Sequence, residues 1–248
     1  MTDAILTCAG LTKSFGGLVA NDRIDLSVGK QEIRGIIGPN GSGKSTFFNV
    51  LTGFYVKDEG TVTFDGEDVS NLKPFEIANR GLVRTFQLPT PFSNLTVKDN
   101  LLAVYSGGLR ITNDKRDRAD EILTFLDIAG VADHLASELS GGQQKLLELG
   151  RVLMLEPKVI LLDEPTAGVN PALSLRILDR IEAMRDRGTT IVIIEHDMEV
   201  VKSITDKVTV FDQGRVIAEG TFAEVATELR VQEAYLGKAD ESDVGTIV

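Results

Sequence analysis

The sequence predicts an α/β fold in which helices cover a mostly parallel β-sheet. Three short apolar runs, 33–37, 159–162 and 190–194, have the length and composition of buried parallel strands. Residues 171–187 instead carry apolar side chains at helical spacing, after a proline that suits the first turn of a helix. A glycine-rich segment, 38–45, lies directly after the first run. Strands that alternate with helices in this way place a ligand at their carboxyl ends.

Composition excludes several classes of function. The 248 residues include 26 Lys and Arg against 37 Asp and Glu, which gives a net charge of −11. An acidic surface of this kind argues against a nucleic-acid groove and against direct adhesion to anionic lipid. Cys8 is the single cysteine, so no internal disulfide can form, and we expect it to be an ordinary buried residue in a reducing compartment. The sequence has no signal-peptide pattern and no apolar run near the ~20 residues that span a bilayer, so we expect other chains to do any spanning.

The segment 38–45 reads Gly-Pro-Asn-Gly-Ser-Gly-Lys-Ser and fits the pattern of a phosphate-binding loop. Its glycines let backbone N–H groups close around an anion, and the helix that follows adds the partial positive charge of its N-terminus. Lys44 is expected to reach the β- and γ-phosphates, and the hydroxyl of Ser45 to bind Mg²⁺. The predicted nucleotide contacts of this loop are Gly38, Asn40, Gly41, Ser42, Gly43, Lys44, Ser45 and Thr46.

Strand signals flank a central region that has none. From residue 97 to about 155 the apolar residues recur at helical spacing, so we predict a helical insert. Glycine-containing turns at 16–17, 65–66 and 212–214 predict hairpins. The other predicted strands are 4–11, 24–28, 61–64, 82–86, 207–211 and 215–219, and the other predicted helices are 74–79, 118–126, 143–155, 222–228 and 231–236.

Polar residues end three of the predicted strands, where a nucleotide would lie. Asp163 and Glu164 follow four apolar residues, and an aspartate at this place can hold Mg²⁺ while the adjacent carboxylate orients or deprotonates a water. Gln87 ends another strand. His196 ends a third, where a structural role and a phosphate-sensing role are both open. Phe15 precedes a glycine turn, and its residue type alone favours core packing.

The segment Leu139-Ser140-Gly141-Gly142-Gln143 places a serine and bare backbone at the start of a helix. Such a helix start is a second anion site with no obvious ligand in its own lobe. Together with the phosphate-binding loop, Gln87 and Asp163-Glu164 in this order, it makes the chain resemble the ATP-binding cassette family of transport ATPases, over about 5–237. The resemblance implies ATP and Mg²⁺ as ligands.

The resemblance also implies a P-loop NTPase (RecA-like) fold, organised as a single ATPase domain over 1–237. Residues 1–87 and 156–237 would form the parallel-sheet core together with an antiparallel β subdomain. Residues 88–155 would form a helical subdomain that carries 139–143, which the family pattern makes its signature segment. Residues 238–248 would form an acidic, mobile tail.

Several residue roles follow from the resemblance alone. Two subunits would pack head to tail, so that one subunit's signature segment meets the γ-phosphate held by the other's Lys44. The signature residues implied to contact the nucleotide are Ser140, Gly141, Gly142 and Gln143. Phe15 would stack on adenine, and His196 would contact the γ-phosphate. Asp163 would bind Mg²⁺, Gln87 would contact Mg²⁺ and the attacking water, and Glu164 would be the general base. The chain departs from the family pattern at Asn170, where many members carry aspartate, and at Phe15, where tyrosine is commoner.

Within the family, the segments 37–41, 51–55, 83–87, 167–171 and 233–237 look like those of ATP-binding subunits of branched-chain amino acid importers. Urea, amide or other amino acid importers, lipopolysaccharide export and soluble cassette ATPases such as those of iron–sulfur assembly are the alternatives. The expected partners are transmembrane permease subunits, a second ATP-binding subunit (the same chain or a similar one) and, indirectly, a substrate-binding protein, with no nucleic acid. The expected location is the cytoplasmic face of the inner membrane, as a peripheral subunit.

A proline-braced, partly apolar loop follows Gln87. We expect a helix of the membrane partner to insert beside it, although a simple interdomain linker is an alternative. The residues of this expected transmission surface are Leu88, Pro91, Phe92, Asn94 and Leu95.

Overall fold

The computed structural model describes residues 4–85, 90–105 and 111–236. The strands are β1 Ala4–Phe15, β2 Leu18–Gly29, β3 Ile33–Ile37, β4 Glu59–Phe64, β5 Glu67–Asp68, β6 Leu82–Arg84, β7 Val159–Asp163, β8 Thr190–Ile194, β9 Lys207–Asp212 and β10 Arg215–Gly220. The helices are α1 Lys44–Leu51, α2 Pro74–Arg80, α3 Val97–Leu102, α4 Asn113–Phe125, α5 Gly141–Leu153, α6 Pro171–Asp186, α7 Met198–Ile204, α8 Phe222–Ala226 and α9 Leu229–Leu236. Within these ranges, no helix is both long enough and apolar enough to cross a bilayer.

The larger sheet has six strands in the order β10-β9-β3-β8-β7-β6. All neighbours are parallel except the edge pair β9 and β10. Every residue of β3, β7 and β8 is buried, which explains why these strands read as unbroken apolar runs. The prediction of a mostly parallel sheet is confirmed.

The smaller sheet is antiparallel, in the order β2-β1-β4-β5. The β1–β2 hairpin turns at Gly16-Gly17, as predicted. Both strands extend up to this turn, however, and are therefore longer than the predicted strands 4–11 and 24–28. The added part, 12–15 and 18–23, is mostly half-buried or exposed, and its one buried side chain is the polar Asn21, so hydrophobicity alone does not mark it as strand. Asp65 and Gly66 connect β4 to β5 with φ values of +49° and +83°, the left-handed pair that a two-residue hairpin turn of type I′ needs.

Between β6 and β7, the described residues form mainly helices. In the described part of this region, 90–105 and 111–158, the only β pairing is an isolated bridge between Thr96 and Leu135. Helix α4 begins five residues before the predicted start at 118. The prediction missed these residues because they are polar and mostly exposed, so they add nothing to the apolar repeat. Helix α7 was not predicted. Its seven residues are too few for a periodic signal, and its N-terminus is fixed by Asp197, whose Oδ1 accepts the N–H groups of Glu199 and Val200.

Alternate residues of β7 and β8 face two separate apolar clusters, as the twofold repeat of a strand requires. One cluster lies between the two sheets and surrounds α1, with Phe47 and Phe48 fully buried. The other covers the opposite face of the six-stranded sheet and continues into α3, α4, α5 and α6. Cys8 lies buried in the first cluster, as predicted, and burial raises the pKa of its thiol to about 12. Helix α5 therefore packs on the same core that supports the strands.

Arg34 is the exception to the apolar interior of β3, since its side chain is 1% exposed. The guanidinium donates to Glu32 Oε1 (2.6 Å), Thr209 Oγ1 (3.0 Å) and the carbonyl of Ser27 (2.9 Å), and lies 3.0 Å from Glu219 Oε1. These partners belong to the turn before β3 and to β9, β2 and β10. One buried side chain thus joins the two sheets on one side of the molecule.

Arg34→Met is expected to destabilise the protein by about 3–5 kcal/mol, because it leaves the largely buried Glu32 carboxylate and the buried Thr209 hydroxyl without their donor. Urea unfolding should show this as a lower midpoint with an unchanged slope. Arg230→Met is the matched control, because Arg230 is 61% exposed and pairs with Glu228 beside the start of α9. Equal midpoints for the two variants would contradict the assigned role of Arg34.

Candidate active site

The loop from β3 to α1 is folded around its own lysine. Lys44 Nζ donates to the carbonyls of Gly38 (2.7 Å) and Pro39 (3.1 Å) and lies 3.4 Å from Ser42 Oγ. The side chains of Ser42 and Lys44 are buried, whereas Asn40, Gly41 and Ser45 are exposed. The loop thus presents backbone and the hydroxyl of Ser45 outward at the start of α1, with a buried ammonium group at its centre. An anion is the ligand that this arrangement suits.

Two glycines let this loop lie directly on neighbouring strands. Gly43 caps α1 with a φ of +102°, and a Cβ there would stand 2.2 Å from the carbonyl oxygen of Ala20. A Cβ on Gly38 would stand 2.1 Å from the carbonyl oxygen of Phe211. Asn21 Nδ2 donates to the carbonyl of Gly43 (3.1 Å). The loop is therefore fixed on its protein side by β2 and β9, and only its outer side can receive a ligand.

Asp163 ends β7 with a side chain that is only 6% exposed. Arg84 Nη2 donates to its Oδ2 (3.0 Å), and Arg84 Nη1 donates to Asn49 Oδ1 (2.7 Å) on α1. Burial raises the pKa of Asp163 above its ordinary value, and the attraction of Arg84 opposes that rise. Burial likewise lowers the pKa of Arg84. The sequence prediction did not include Arg84, although a charged residue inside the apolar run 82–86 was a signal for it.

The donor set at this place fits Mg²⁺. The carboxylate of Asp163 and the hydroxyl of Ser45 supply oxygen atoms, which are the ligands that Mg²⁺ prefers, and Mg²⁺ commonly completes its shell with waters and substrate phosphates. Across 4–85, 90–105 and 111–236, no three His, Cys, Asp or Glu residues form a cluster that could hold a metal. Gln87, the third predicted Mg²⁺ ligand, lies outside the described residues.

Glu164 and His196 meet at the ends of the adjacent strands β7 and β8. His196 Nε2 lies 2.5 Å from Glu164 Oε1. The backbone of Glu164 is left-handed, with a φ of +50°, and its N–H donates to the carbonyl of Ile194 (2.9 Å). A non-glycine residue in this conformation costs about 1–3 kcal/mol and is typical of functional sites. A carboxylate so placed can accept a proton from a water, and the imidazole fixes its direction.

Phe15 lies at the tip of the β1–β2 hairpin and is 43% exposed, so the core packing favoured by its residue type is wrong. The longer hairpin carries the ring past the core. Tyr55, which the sequence prediction did not single out, meets it edge to face at a centroid distance of 5.2 Å, and Lys13 Nζ lies 5.2 Å from the ring centre. The hairpin thus offers an exposed aromatic face of the kind that stacks on a base.

The signature segment opens α5 with a capping box. Ser140 Oγ accepts the N–H of Gln143 (3.4 Å), and Gln143 Oε1 accepts the N–H of Ser140 (2.9 Å). Gly142 packs on α6, since a Cβ there would stand 1.8 Å from Leu173 Cδ2. Gly141 is exposed, has no positive φ, and has no described neighbour within 4 Å of the place a Cβ would take. Neither backbone conformation nor packing within the described chain explains this glycine.

Comparison with known proteins identifies the family. A family model described as ABC transporter matches residues 21–167, and one described as branched-chain amino acid ATP-binding cassette transporter matches 215–241. The chain belongs to the ATP-binding cassette family of transport ATPases. The cassette is 43% identical to the probable branched-chain amino acid transport ATP-binding protein LivG of Archaeoglobus fulgidus, over 95% of this chain and 96% of that protein. It is 38% identical to the high-affinity branched-chain amino acid transport ATP-binding protein LivG of Escherichia coli K12, over 96% of this chain and all of that one.

Solved structures agree with the fold of the cassette. A structure of the ADP conformation of an ATP-binding cassette of an ABC transporter superposes with a TM-score of 0.88 at 40% identity, covering 96% of this chain and 100% of the other. A dimeric post-hydrolysis cassette bound to ADP and Pi superposes with a TM-score of 0.78 at 27% identity, covering 88% and 98%. The resemblance and the fold class expected from the sequence are confirmed, and the cassette is a nucleotide-binding ATPase.

Gly43→Ala is expected to abolish nucleotide binding, because the added methyl group would force the loop away from Ala20. Binding of a fluorescent ATP analogue to the purified cassette measures this. Gly130→Ala is the matched control, since Gly130 has no positive φ and a Cβ there would meet no described atom within 4 Å. Normal binding by Gly43→Ala would show that the loop does not need its contact with β2.

Proposed function

We propose that this cassette is the ATP-hydrolysing subunit of an importer of branched-chain amino acids. The observation that carries the cargo class is the match of 215–241 to a model described for branched-chain amino acid cassettes, beyond the residues that match the general ABC transporter model. Relatives named for branched-chain amino acid transport, 38–43% identical over nearly the whole chain, support it. The cassette would act at the cytoplasmic face of a membrane, together with permease subunits. A substrate-binding protein would deliver the amino acid to those subunits.

In its own half of the site, the cassette would hold ATP by the loop and the hairpin. Phe15 would stack on the adenine. The residues of the phosphate contact would be Gly38, Asn40, Gly41, Ser42, Gly43, Lys44, Ser45 and Thr46. Phosphate oxygens would replace the carbonyls of Gly38 and Pro39 as partners of the Lys44 ammonium group.

Hydrolysis would be a displacement by water. A water oxygen bonds to the γ-phosphorus while the bond to the β–γ bridging oxygen breaks, and Glu164 accepts the proton that the water gives up. His196, 2.5 Å from the carboxylate, would hold Glu164 in direction and contact the γ-phosphate. Ser45, Gln87 and Asp163 would hold Mg²⁺, which neutralises phosphate charge when it is bound. Arg84 would keep the Asp163 carboxylate in place.

A second cassette would complete the site. The supporting observation is the exposed backbone of Gly141 at the start of α5, which no Cβ and no described neighbour covers. A phosphate approaching Ser140, Gly141, Gly142 and Gln143 from another subunit would use that open backbone. The solved post-hydrolysis relative is itself a dimer bound to ADP and Pi. We therefore propose a head-to-tail pair, with each nucleotide between the loop of one cassette and α5 of the other.

The permease would dock in a groove of about 360 Å³ between α2 and α5. Phe54, Phe75, Val83 and Leu155 give it an apolar lining, and charged groups lie at its side. Phe75 is 61% exposed and Phe54 is 49% exposed. A groove of this shape suits an amphipathic helix whose apolar face enters it.

The transmission loop expected from the sequence contributes Thr90 to this groove, and Leu88 lies outside the described residues. Phe92 is 51% exposed, with the Arg151 guanidinium 4.9 Å from its ring centre, and Asn94 and Leu95 are exposed too. Asn100 bonds both the N–H (2.8 Å) and the carbonyl (3.0 Å) of Phe92. These bonds tie the loop to α3 and favour a docking role over that of a loose linker.

Glu164→Gln is expected to keep ATP binding and to lower hydrolysis by about 10²-fold or more, because an amide cannot accept the proton. Because bound ATP is not hydrolysed, the closed pair of cassettes should accumulate. Gel filtration in the presence of ATP detects this pair as a dimer. Glu121→Gln, on the exposed side of α4, is the control and should hydrolyse ATP at the wild-type rate. Unchanged hydrolysis in Glu164→Gln would remove Glu164 from the role of base.

Vesicles that contain the cassette and its copurified permease should accumulate leucine, isoleucine and valine when ATP is supplied. Phe75→Ser should lower that uptake about tenfold or more, since losing an aromatic anchor of an interface costs about 2 kcal/mol. ATP affinity of the isolated variant should stay unchanged. Leu229→Ser is the matched control, because Leu229 is 69% exposed and outside the groove. Urea uptake without leucine uptake would overturn the cargo class, and lost ATP affinity in Phe75→Ser would overturn the docking groove.

A further inference from the structure

The turn that carries Glu164 is held by a side chain from the signature helix. Lys145, one turn into α5, donates from Nζ to the carbonyls of Glu164 (3.2 Å), Pro165 (3.4 Å) and Ala167. Three carbonyl oxygens of one short turn thus converge on a single ammonium group. Hydrogen bonds that involve a charged donor are about twice as strong as neutral ones.

The other side of the same turn is held by Glu195, a 3% exposed residue directly after β8. Its Oε1 accepts the N–H (3.0 Å) and the hydroxyl (2.7 Å) of Thr166, and its Oε2 accepts the N–H of His196 (3.3 Å). The turn 164–167 therefore lies between a cation on α5 and a carboxylate on the sheet. Together these contacts offset the cost of the left-handed conformation of Glu164.

Lys145 is partly buried, so its contact with the turn differs from an exposed surface hydrogen bond. Burial lowers the pKa of its ammonium group, and the carboxylates of Glu195, Glu148 and Glu164 oppose that shift. A half-buried lysine loses more hydration than an exposed one, and here the carbonyl bonds and the nearby carboxylates compensate for that loss. Neither the phosphate-binding loop nor the groove explains it, since Lys145 bonds to neither of them in the described structure.

We infer that Lys145 is a positioning residue that couples the two nucleotide sites of the cassette pair. This inference rests on the proposed head-to-tail pair. There, α5 of one cassette meets the nucleotide of its partner, whereas Glu164 of the same cassette acts on the nucleotide that this cassette itself holds. Lys145 joins those two groups within one chain, two residues after Gln143. A shift of the α5 tip on engaging the partner's nucleotide therefore pulls on the carbonyls of the Glu164 turn and sets the base.

The test is the ATP dependence of hydrolysis by Lys145→Met in the full chain. We expect ATP binding to the isolated cassette to stay within about twofold of wild type, because Lys145 is not among the residues proposed to hold the nucleotide. We expect kcat to fall by about 10- to 100-fold at an unchanged KM, since a misplaced catalytic group costs that much. We also expect the Hill coefficient, which lies between about 1 and 2 for two coupled sites, to fall to about 1.

Three further variants separate coupling from folding. Lys98→Met is the matched control, because Lys98 also lies on the helical part of the chain but pairs with Asp120 at the surface, and it should behave as wild type. Lys145→Arg keeps a cation with several donors and should recover most of the Hill coefficient. If Lys145→Met does not fold, as judged by urea unfolding, Lys145→Gln takes its place, because its amide keeps two donors without the charge.

The outcomes distinguish this inference from the proposed function. If Glu164→Gln is inactive while Lys145→Met, or Lys145→Gln in its place, keeps both kcat and the Hill coefficient, then Lys145 is not the coupling residue and the proposed function stands. A wild-type Hill coefficient of 1 also overturns the coupling. If Glu164→Gln itself hydrolyses ATP normally, the proposed function fails first.

Discussion

The parallel register of β3, β8 and β7 is the constraint on which the site depends. Ile36 pairs with Ile194, and Asp163 pairs with the same residue from the other side. Because these strands end together, the phosphate-binding loop, the Asp163-Glu164 pair and the Glu195-His196 pair emerge at one edge of the sheet. A slip of one residue would turn each strand's side chains to the opposite face and so exchange the residues that pack in the two apolar clusters. The chemistry is thus positioned by apolar packing that never touches the ligand.

On this rigid edge, the site is built mainly from backbone. Gly38 and Gly43 bring the loop against β9 and β2, and Gly142 brings α5 against α6. Turn 164–167 is held by its carbonyl and N–H groups, through Lys145 on one side and Glu195 on the other. Backbone groups held this way need no side-chain rearrangement before they meet a phosphate, so binding carries little reorganisation cost.

The elements that the sequence predicted are those with a local signal. The loop 38–45, the central strands and the Asp163-Glu164 pair each follow from composition and spacing within a few residues. Arg84, Tyr55 and Lys145 escaped prediction because their importance lies in contacts with residues 79, 40 and about 20 positions away. Phe15 shows the opposite error, because an aromatic residue type favoured burial while the length of its hairpin carried it to the surface. The length of that hairpin was itself hidden, since its outer half has no apolar repeat.

Arg84 belongs to two places at once. It lines the groove beside α2 and α5, and the same guanidinium holds the carboxylate of Asp163 and the amide of Asn49. One planar cation would thus be shared between the proposed docking groove and the residues of the proposed nucleotide site. A substitution of Arg84 would therefore be expected to affect both docking and catalysis, whereas a substitution of an exposed aromatic residue of the groove would affect docking alone.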